Sequence, residues 1–297
     1  HDDAIAWVLA RASRQLDILA VTSCCGNQTI EKTTYNALRV CTLIGLHAPV
    51  GKGCPHPLLN DVMNAPSVHG ESGLDGPALP EPAFEASALS APELMAKVLR
   101  ESPEPVTIVA TGPQTNVAAL LLAHPELKCK IARISLMGGG IATGNWTPAA
   151  EFNIYDDPDA AQIVFKSGVP LVMCGLDVTM QAELRPADWD EMAGYGNRCG
   201  GLVKELFACA WKTIQTVGLT GVAQHDSCPV MYLAHPELFE GRMAGVFVET
   251  QGAVTLGKTV TDLQSDKKFG VQNALVLLHL DREKFMQILK DCIRTLP

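Results

Sequence analysis

The chain has 297 residues, 47% of them hydrophobic, and a formal net charge of −9. That length and apolar content supply one large core with no linker in view, and an acidic balance without a basic cluster excludes a DNA or RNA polymer as partner. The longest apolar runs, such as residues 118–123 and 274–278, fall short of the roughly 20 residues that span a bilayer, so a soluble, cytoplasmic protein is expected.

In chain order, periodicity predicts a helix over 3–14, a strand over 16–24, a helix over 29–46, a short strand near 49–51 and an irregular loop over 55–82. A helix at 91–101 and a strand at 105–111 follow. The alternation then repeats, with helix 114–124, strand 131–137, helix 157–167 and strand 170–176. Beyond Pro186 the chain reads as more helical, with a hairpin-like pair at 242–250 and about 257–263, a strand at 274–280 and a closing helix over 282–295. Continuous apolar strands such as Val106-Thr107-Ile108-Val109-Ala110, alternating with amphipathic helices, predict an α/β fold. Its central sheet is mostly parallel and open, Rossmann-like, with helices on both faces and a late β-hairpin. The ten cysteines are scattered with no CxxC among them, which fits a reducing compartment and free buried thiols. Cys24 and Cys25, neighbours at a strand end, point to opposite faces and make a poor ligand pair.

In such sheets ligands bind outside the carboxyl ends of the strands, and polar residues gather there in this sequence. Gly26-Asn27-Gln28-Thr29 follows the first strand, Thr111-Gly112-Pro113-Gln114-Thr115-Asn116 the next long one, and Met137-Gly138-Gly139-Gly140 the one after. Helix capping accounts for Thr29, Asn116 and Asp157. Glu151-Phe152-Asn153, read as an extended segment, places an acid and an amide on one side, which suits recognition of a vicinal diol. At the start, Asp2 and Asp3 fall in a first helical turn, where acids are favoured, yet adjacent carboxylates repel and a bound cation would relieve them. His225-Asp226 supplies a second such pair. The glycines after residue 137 do not give GxGxxG opening a helix, and no P-loop or GxSxG elbow is present. A carboxylate- and amide-rich cleft with few cations suits a neutral polyol and a hard metal ion.

Seven segments in order carry a resemblance. They are His1-Asp2-Asp3-Ala4-Ile5-Ala6, Gly26-Asn27-Gln28-Thr29, His69-Gly70-Glu71-Ser72-Gly73-Leu74-Asp75-Gly76, Thr111-Gly112-Pro113 with Thr115-Asn116, and Met137-Gly138-Gly139. Gly144-Asn145-Trp146-Thr147-Pro148-Ala149-Ala150-Glu151-Phe152-Asn153 and His225-Asp226 complete them. The chain resembles the inosine-uridine preferring nucleoside hydrolases, and most the bacterial pyrimidine-preferring ribonucleoside hydrolases.

The resemblance implies hydrolysis of the N-glycosidic bond of ribonucleosides, uridine and cytidine favoured, by a calcium-bound water through an oxocarbenium-like transition state. It implies a calcium ion held by Asp3, the main-chain oxygen of Thr111 and Asp226. Asp2, Asn27, Asn145, Glu151 and Asn153 would hold the ribose, with Met137 packed beside it and Phe152 and His225 also lining the substrate. His69 and His225 are the candidates for assisting the leaving base, since imidazole donates near neutral pH. A homo-oligomer, dimer or tetramer, is implied as well.

Two departures from the family pattern bear on this. The family's Asp four residues upstream of Asp2, with the strand that carries it, is missing, so residues 1–297 read as a single domain lacking its first strand, and as a truncated form of the functional protein. A chain that truly began at His1 would hydrolyse little and expose apolar sheet surface; a silent ribonucleoside- or ribose-binding protein is then the alternative. Val217, where related pyrimidine enzymes often carry Tyr, cannot donate a hydrogen bond, which leaves a purine or broad-specificity nucleosidase as a further alternative.

Overall fold

The computed structural model describes residues 1–215, 218, 220–264 and 268–296. Val217 lies outside the described residues. The chain begins with α1 (Asp2–Ala12), then β1 (Val21–Thr22), α2 (Ile30–Leu43), β2 (Val50–Gly51), α3 (Pro66–His69), α4 (Ala91–Glu101), β3 (Val106–Ala110), α5 (Thr115–Ala123) and β4 (Ile131–Met137). It continues through α6 (Phe152–Asp156), α7 (Pro158–Phe165), β5 (Leu171–Cys174), α8 (Leu176–Thr179), β6 (Glu183–Leu184), α9 (Pro186–Ala193), α10 (Arg198–Ile214) and β7 (Val222–Ala223). The last elements are α11 (Ser227–Ala234), β8 (Phe239–Val248), β9 (Thr259–Asp262), β10 (Ala274–Leu280) and α12 (Arg282–Thr295).

The main sheet has the order β3-β4-β5-β10-β8-β9. Its β3-β4-β5-β10 part is parallel, and β8 and β9 add an antiparallel edge, the late hairpin expected from the sequence. Alternation along the strands sends side chains to two cores. In β5, Leu171 and Met173 join the apolar layer under α4, α5 and α7, while Val172 and Cys174 join the one built with α1, α2, α10 and α12. Both faces are covered, as a mostly parallel sheet requires.

The expected strand over 16–24 narrows to Val21–Thr22, paired in parallel with β2 in a separate two-stranded sheet. Its ladder is short because its partner, Val50–Gly51, is itself two residues long. Asn116 is not a helix cap: it lies inside α5, donating to the carbonyl of Ser23 at 2.7 Å and accepting from the Cys54 N–H at 2.8 Å. It thereby ties α5 to the ends of the first two strands. Thr29 occupies an N-cap position without a side-chain cap bond, whereas the Asp157 carboxylate does cap α7 through the Ala160 N–H.

Asp156, 1% exposed, sits beside Asp157 at the end of α6. Burial, with the Asp157 charge adding to it, pushes its carboxyl up to about 7. A raised folded-state pKa in an acid means that the folded form holds the proton longer than the unfolded chain, so stability is lost as pH rises from about 4 through about 7. Asp156→Asn is expected to raise the melting temperature at pH 8 and leave it nearly unchanged at pH 4, with about 4 kcal/mol as the ceiling for three units of pKa. Equal shifts at both pH values would contradict this reading.

Candidate functional site

The site is assembled at the carboxyl ends of the parallel strands, with Asn27 after β1, Thr111 after β3, Met137 closing β4 and the short α8 after β5. The start of α1 points its first turn into the same place. Asp2, Asp3 and Asp226 come together although more than 220 residues separate them, each offering a carboxylate oxygen within 4.8 Å of the others. The Asp226 N–H donates to Asp2 Oδ2 at 3.2 Å, the Thr111 hydroxyl to Asp3 Oδ1 at 3.3 Å, and Asn27 Nδ2 to Asp3 Oδ2 at 3.4 Å.

Three carboxylates this close, in a buried setting, cannot all stay ionised without a compensating cation. Burial pushes Asp226 well above its ordinary value, with Asp2 and Asp3 adding to the shift, and burial likewise raises Asp3. The donor set is entirely oxygen, which fits a hard divalent cation rather than a soft one.

Around this group the other expected residues take defined positions. Asn153, in the first turn of α6, donates to the carbonyls of Thr111 at 3.0 Å and Met137 at 3.3 Å. The segment from Glu151 to Asn153 is not extended. Glu151 is the N-cap of α6, 2% exposed, and its carboxylate accepts from the backbone N–H groups of Gly139 (2.9 Å), Asn153 (2.9 Å) and Ile154 (3.2 Å). The free amides of a first helical turn offer the carboxylate partners that an extended strand lacks. Burial still pushes the Glu151 carboxyl up to about 7, against the pull of those three N–H groups. Gly139 makes its close approach with φ +79°, and a Cβ there would fall 2.7 Å from Met173 and Thr259. Asn145 Oδ1 accepts the Phe152 N–H at 2.9 Å, and the Phe152 ring meets Trp146 edge-on at 5.0 Å.

The two histidines stand on the same side as Asp2. The His225 Nδ1 shares a 2.7 Å hydrogen bond with the Thr179 hydroxyl, and burial lowers the ring's pKa against the opposing charge of Asp2. Thr179 was not anticipated from the sequence. It is wholly buried in α8, beside Leu176, Asp177 and Val178, and its only signal is a hydroxyl in the short turn after a strand. His69, at the end of α3, has its pKa lowered to about 4, chiefly by burial, and its ring lies 5.4 Å from that of His1. The loop after it is pinned from below. Gln28 Nε2 donates to the carbonyls of Gly70 at 3.0 Å and Glu71 at 3.2 Å, Asn36 Nδ2 donates to Ser72 at 2.7 Å, and the Asp75 carboxylate accepts the N–H groups of Glu71 and Ser72. Gly70 has φ +78°, and a Cβ there would strike Asp75 Oδ2 at 2.2 Å.

Gln28→Ala removes two bonds that hold this loop, each worth about 1 kcal/mol. The expected outcome is a several-fold rise in KM with a small change in kcat, read by steady-state kinetics, and a melting temperature lowered by a few degrees. An unchanged KM would mean that the loop keeps its place without Gln28.

No cysteine joins a metal-ligating group among the described residues. Burial raises Cys24 and Cys25, Cys25 to about 12, which keeps them as thiols. No described helix is long and apolar enough to cross a membrane.

Comparison with known proteins bears on this arrangement directly. The family model for "Inosine-uridine preferring nucleoside hydrolase" matches residues 1–287. The pyrimidine-specific ribonucleoside hydrolase RihA of Citrobacter koseri is 54% identical over 98% of this chain and 94% of its own length. Its counterpart from Escherichia coli is 52% identical over 99% and 95%. Among solved structures, a purine-preferring ribonucleoside hydrolase from Gardnerella vaginalis superposes with a TM-score of 0.92 at 29% identity, over 99% of this chain and 95% of that one. A plant nucleoside hydrolase, the PpNRh1 enzyme, superposes with a TM-score of 0.89 at 28% identity, over 99% and 96%.

Proposed function

The chain belongs to the inosine-uridine preferring nucleoside hydrolase family and is a nucleoside hydrolase, and on that premise we propose that its substrates are uridine and cytidine and its metal calcium. The observation that carries the reading is the convergence of Asp2, Asp3 and Asp226 beside Asn27, Thr111 and Asn153 at the strand ends. The pyrimidine preference is supported by the names of relatives that are 52–54% identical.

Asp3, Asp226 and the main-chain oxygen of Thr111 would hold the ion, whose chemistry is to make a water nucleophilic at neutral pH. Asp2, Asn27, Asn145, Glu151 and Asn153 hold the ribose hydroxyls, with Met137 and Phe152 packed against the sugar. Asn153 is aimed by its bonds to Thr111 and Met137, and Glu151 by the three amides it accepts. Carboxylates on this side of the ring stabilise positive charge as the glycosidic bond lengthens.

The leaving base needs a hydrogen bond or a proton on the opposite side of the bond. The Thr179 hydroxyl beside Nδ1 supports His225 in this role: by donating to Nδ1 it would leave the proton on Nε2, the tautomer that donates. His69, neutral at pH 7 because burial lowers its pKa, contributes a hydrogen bond rather than a full charge. A single domain, a homo-oligomeric assembly and a cytoplasmic location complete the reading.

The experiment that tests the base preference is a comparison of kcat/KM for uridine, cytidine and inosine at one pH. The pyrimidine nucleosides are expected to exceed inosine by at least about tenfold, roughly 1.4 kcal/mol of transition-state discrimination. Inosine in first place would make the enzyme a purine or broad-specificity nucleosidase.

A further inference from the structure

The turn after β4 presents the Gly139 N–H to Glu151, yet Gly138, Gly139 and Gly140 carry no side chains to fix it. What fixes it comes from the far edge of the sheet. Three strands separate β9 from β4, so the contact is made outside the ladder. Thr259, the first residue of β9, is 1% exposed, and its hydroxyl accepts the Gly140 N–H at 2.9 Å while donating to the Gly140 carbonyl at 3.0 Å. A single hydroxyl, donor and acceptor at once, thus binds both backbone groups of one residue. Lys258 Nζ adds bonds to the carbonyls of Gly140 at 3.0 Å and Ile141 at 2.8 Å. From α8, the Asp177 carboxylate accepts the N–H groups of Ile141 at 2.7 Å and Ala142 at 3.2 Å.

The grip on this turn reaches the sugar site through Glu151. Of the three amides that its carboxylate accepts, those of Asn153 and Ile154 belong to α6, the helix that Glu151 caps, and move with it. Gly139 alone among the three ties the carboxylate to the end of β4. The hairpin bears on α6 as well. Gly257, with φ +76°, lies so close that a Cβ there would fall 2.8 Å from Tyr155 Cα. The residue pair Lys258-Thr259 therefore sets the turn against the helix, and a reacting group misplaced by about 1 Å can cost on the order of 10²-fold in rate.

We propose that Thr259 is a positioning residue of the hydrolase reaction: through the backbone of Gly139 and Gly140 it sets the Glu151 carboxylate against the ribose, with Lys258 assisting. The proposal rests on the reading of Glu151 as a ribose ligand. It gives the late hairpin, far from the glycosidic bond in the order of strands, a part in holding the sugar.

The test measures hydrolysis of uridine and of p-nitrophenyl riboside, with calcium present, by Thr259→Val, Thr259→Ser and Lys258→Met, each alone and combined with Glu151→Gln. Thr259→Val keeps the shape and loses the hydroxyl. It is expected to lower kcat/KM about tenfold on both substrates, since the ribose is common to them, and Thr259→Ser to stay within about threefold of wild type. Lys258 is only partly buried, and Lys258→Met, expected to lose about threefold, decides the same question if Thr259→Val does not fold. Beside Glu151→Gln, both losses are expected to shrink to less than about twofold, because the group they act through is already impaired. Losses that persist in full in that background would overturn the proposal. So would a loss on uridine alone, which would place the effect at the leaving base. A Glu151→Gln enzyme as active as wild type would remove the ribose reading of Glu151, and this proposal with it.

Discussion

Asp226→Ala is expected to abolish metal binding and ribose release together, with a loss on the order of 10³-fold or more in kcat, about 4 kcal/mol of transition-state stabilisation. Asp226 is 5% exposed, contributes one of three carboxylates within 4.8 Å of each other, and donates its own N–H to Asp2. Removing its carboxylate takes away a ligand and leaves in place the backbone N–H bond to Asp2. The Asp3 carboxylate and the Thr111 carbonyl alone retain little hold on a hard divalent ion, which prefers six or more oxygens. Calcium titration calorimetry checks the binding half and ribose release from uridine the catalytic half. Because the wild-type group crowds three acids, the variant is expected to unfold at the same temperature as the metal-free enzyme or higher. Retained calcium affinity would mean that the ion sits elsewhere.

His225→Ala has a different signature. With leaving-group assistance removed, hydrolysis of uridine is expected to fall by about 10² to 10⁴-fold, the usual range for general acid catalysis. A p-nitrophenyl riboside, whose leaving group departs unaided, should lose less than tenfold. Thr179→Val, which removes the hydroxyl 2.7 Å from His225 Nδ1, should shift the same ratio in the same direction with a smaller size. Equal losses on both substrates would assign His225 to positioning the sugar or ordering Asp226.

Strong periodicity made much of this fold legible. The helices Ala91–Glu101 and Arg282–Thr295 and the strands Ile131–Met137 and Ala274–Leu280 fall where the apolar pattern puts them. β1 is the contrast. Its sequence reads as nine residues of strand, yet only two pair, because its partner β2 is itself two residues long and sequence pattern carries no information about neighbours. The motif residues Asp2, Asp3, Asn27 and Asp226 were visible as residue types at strand ends and helix starts, but their convergence is a product of topology. Glu151 was read as strand and serves as a helix cap, since a carboxylate two residues before an amide fits either. Thr179 and the role of Gln28 escaped altogether. A buried hydroxyl or a glutamine reaching across 42 residues to a loop carbonyl leaves no local periodic trace.

The most direct test of the central claim is ribose release from uridine, cytidine and inosine by the full-length protein, measured after exhaustive chelation and again after calcium is restored. The account predicts release from uridine and cytidine in preference to inosine, its loss on chelation and its recovery with calcium. Undiminished hydrolysis in the chelated enzyme would contradict the assignment of Asp3, Thr111 and Asp226 to a metal that the reaction requires.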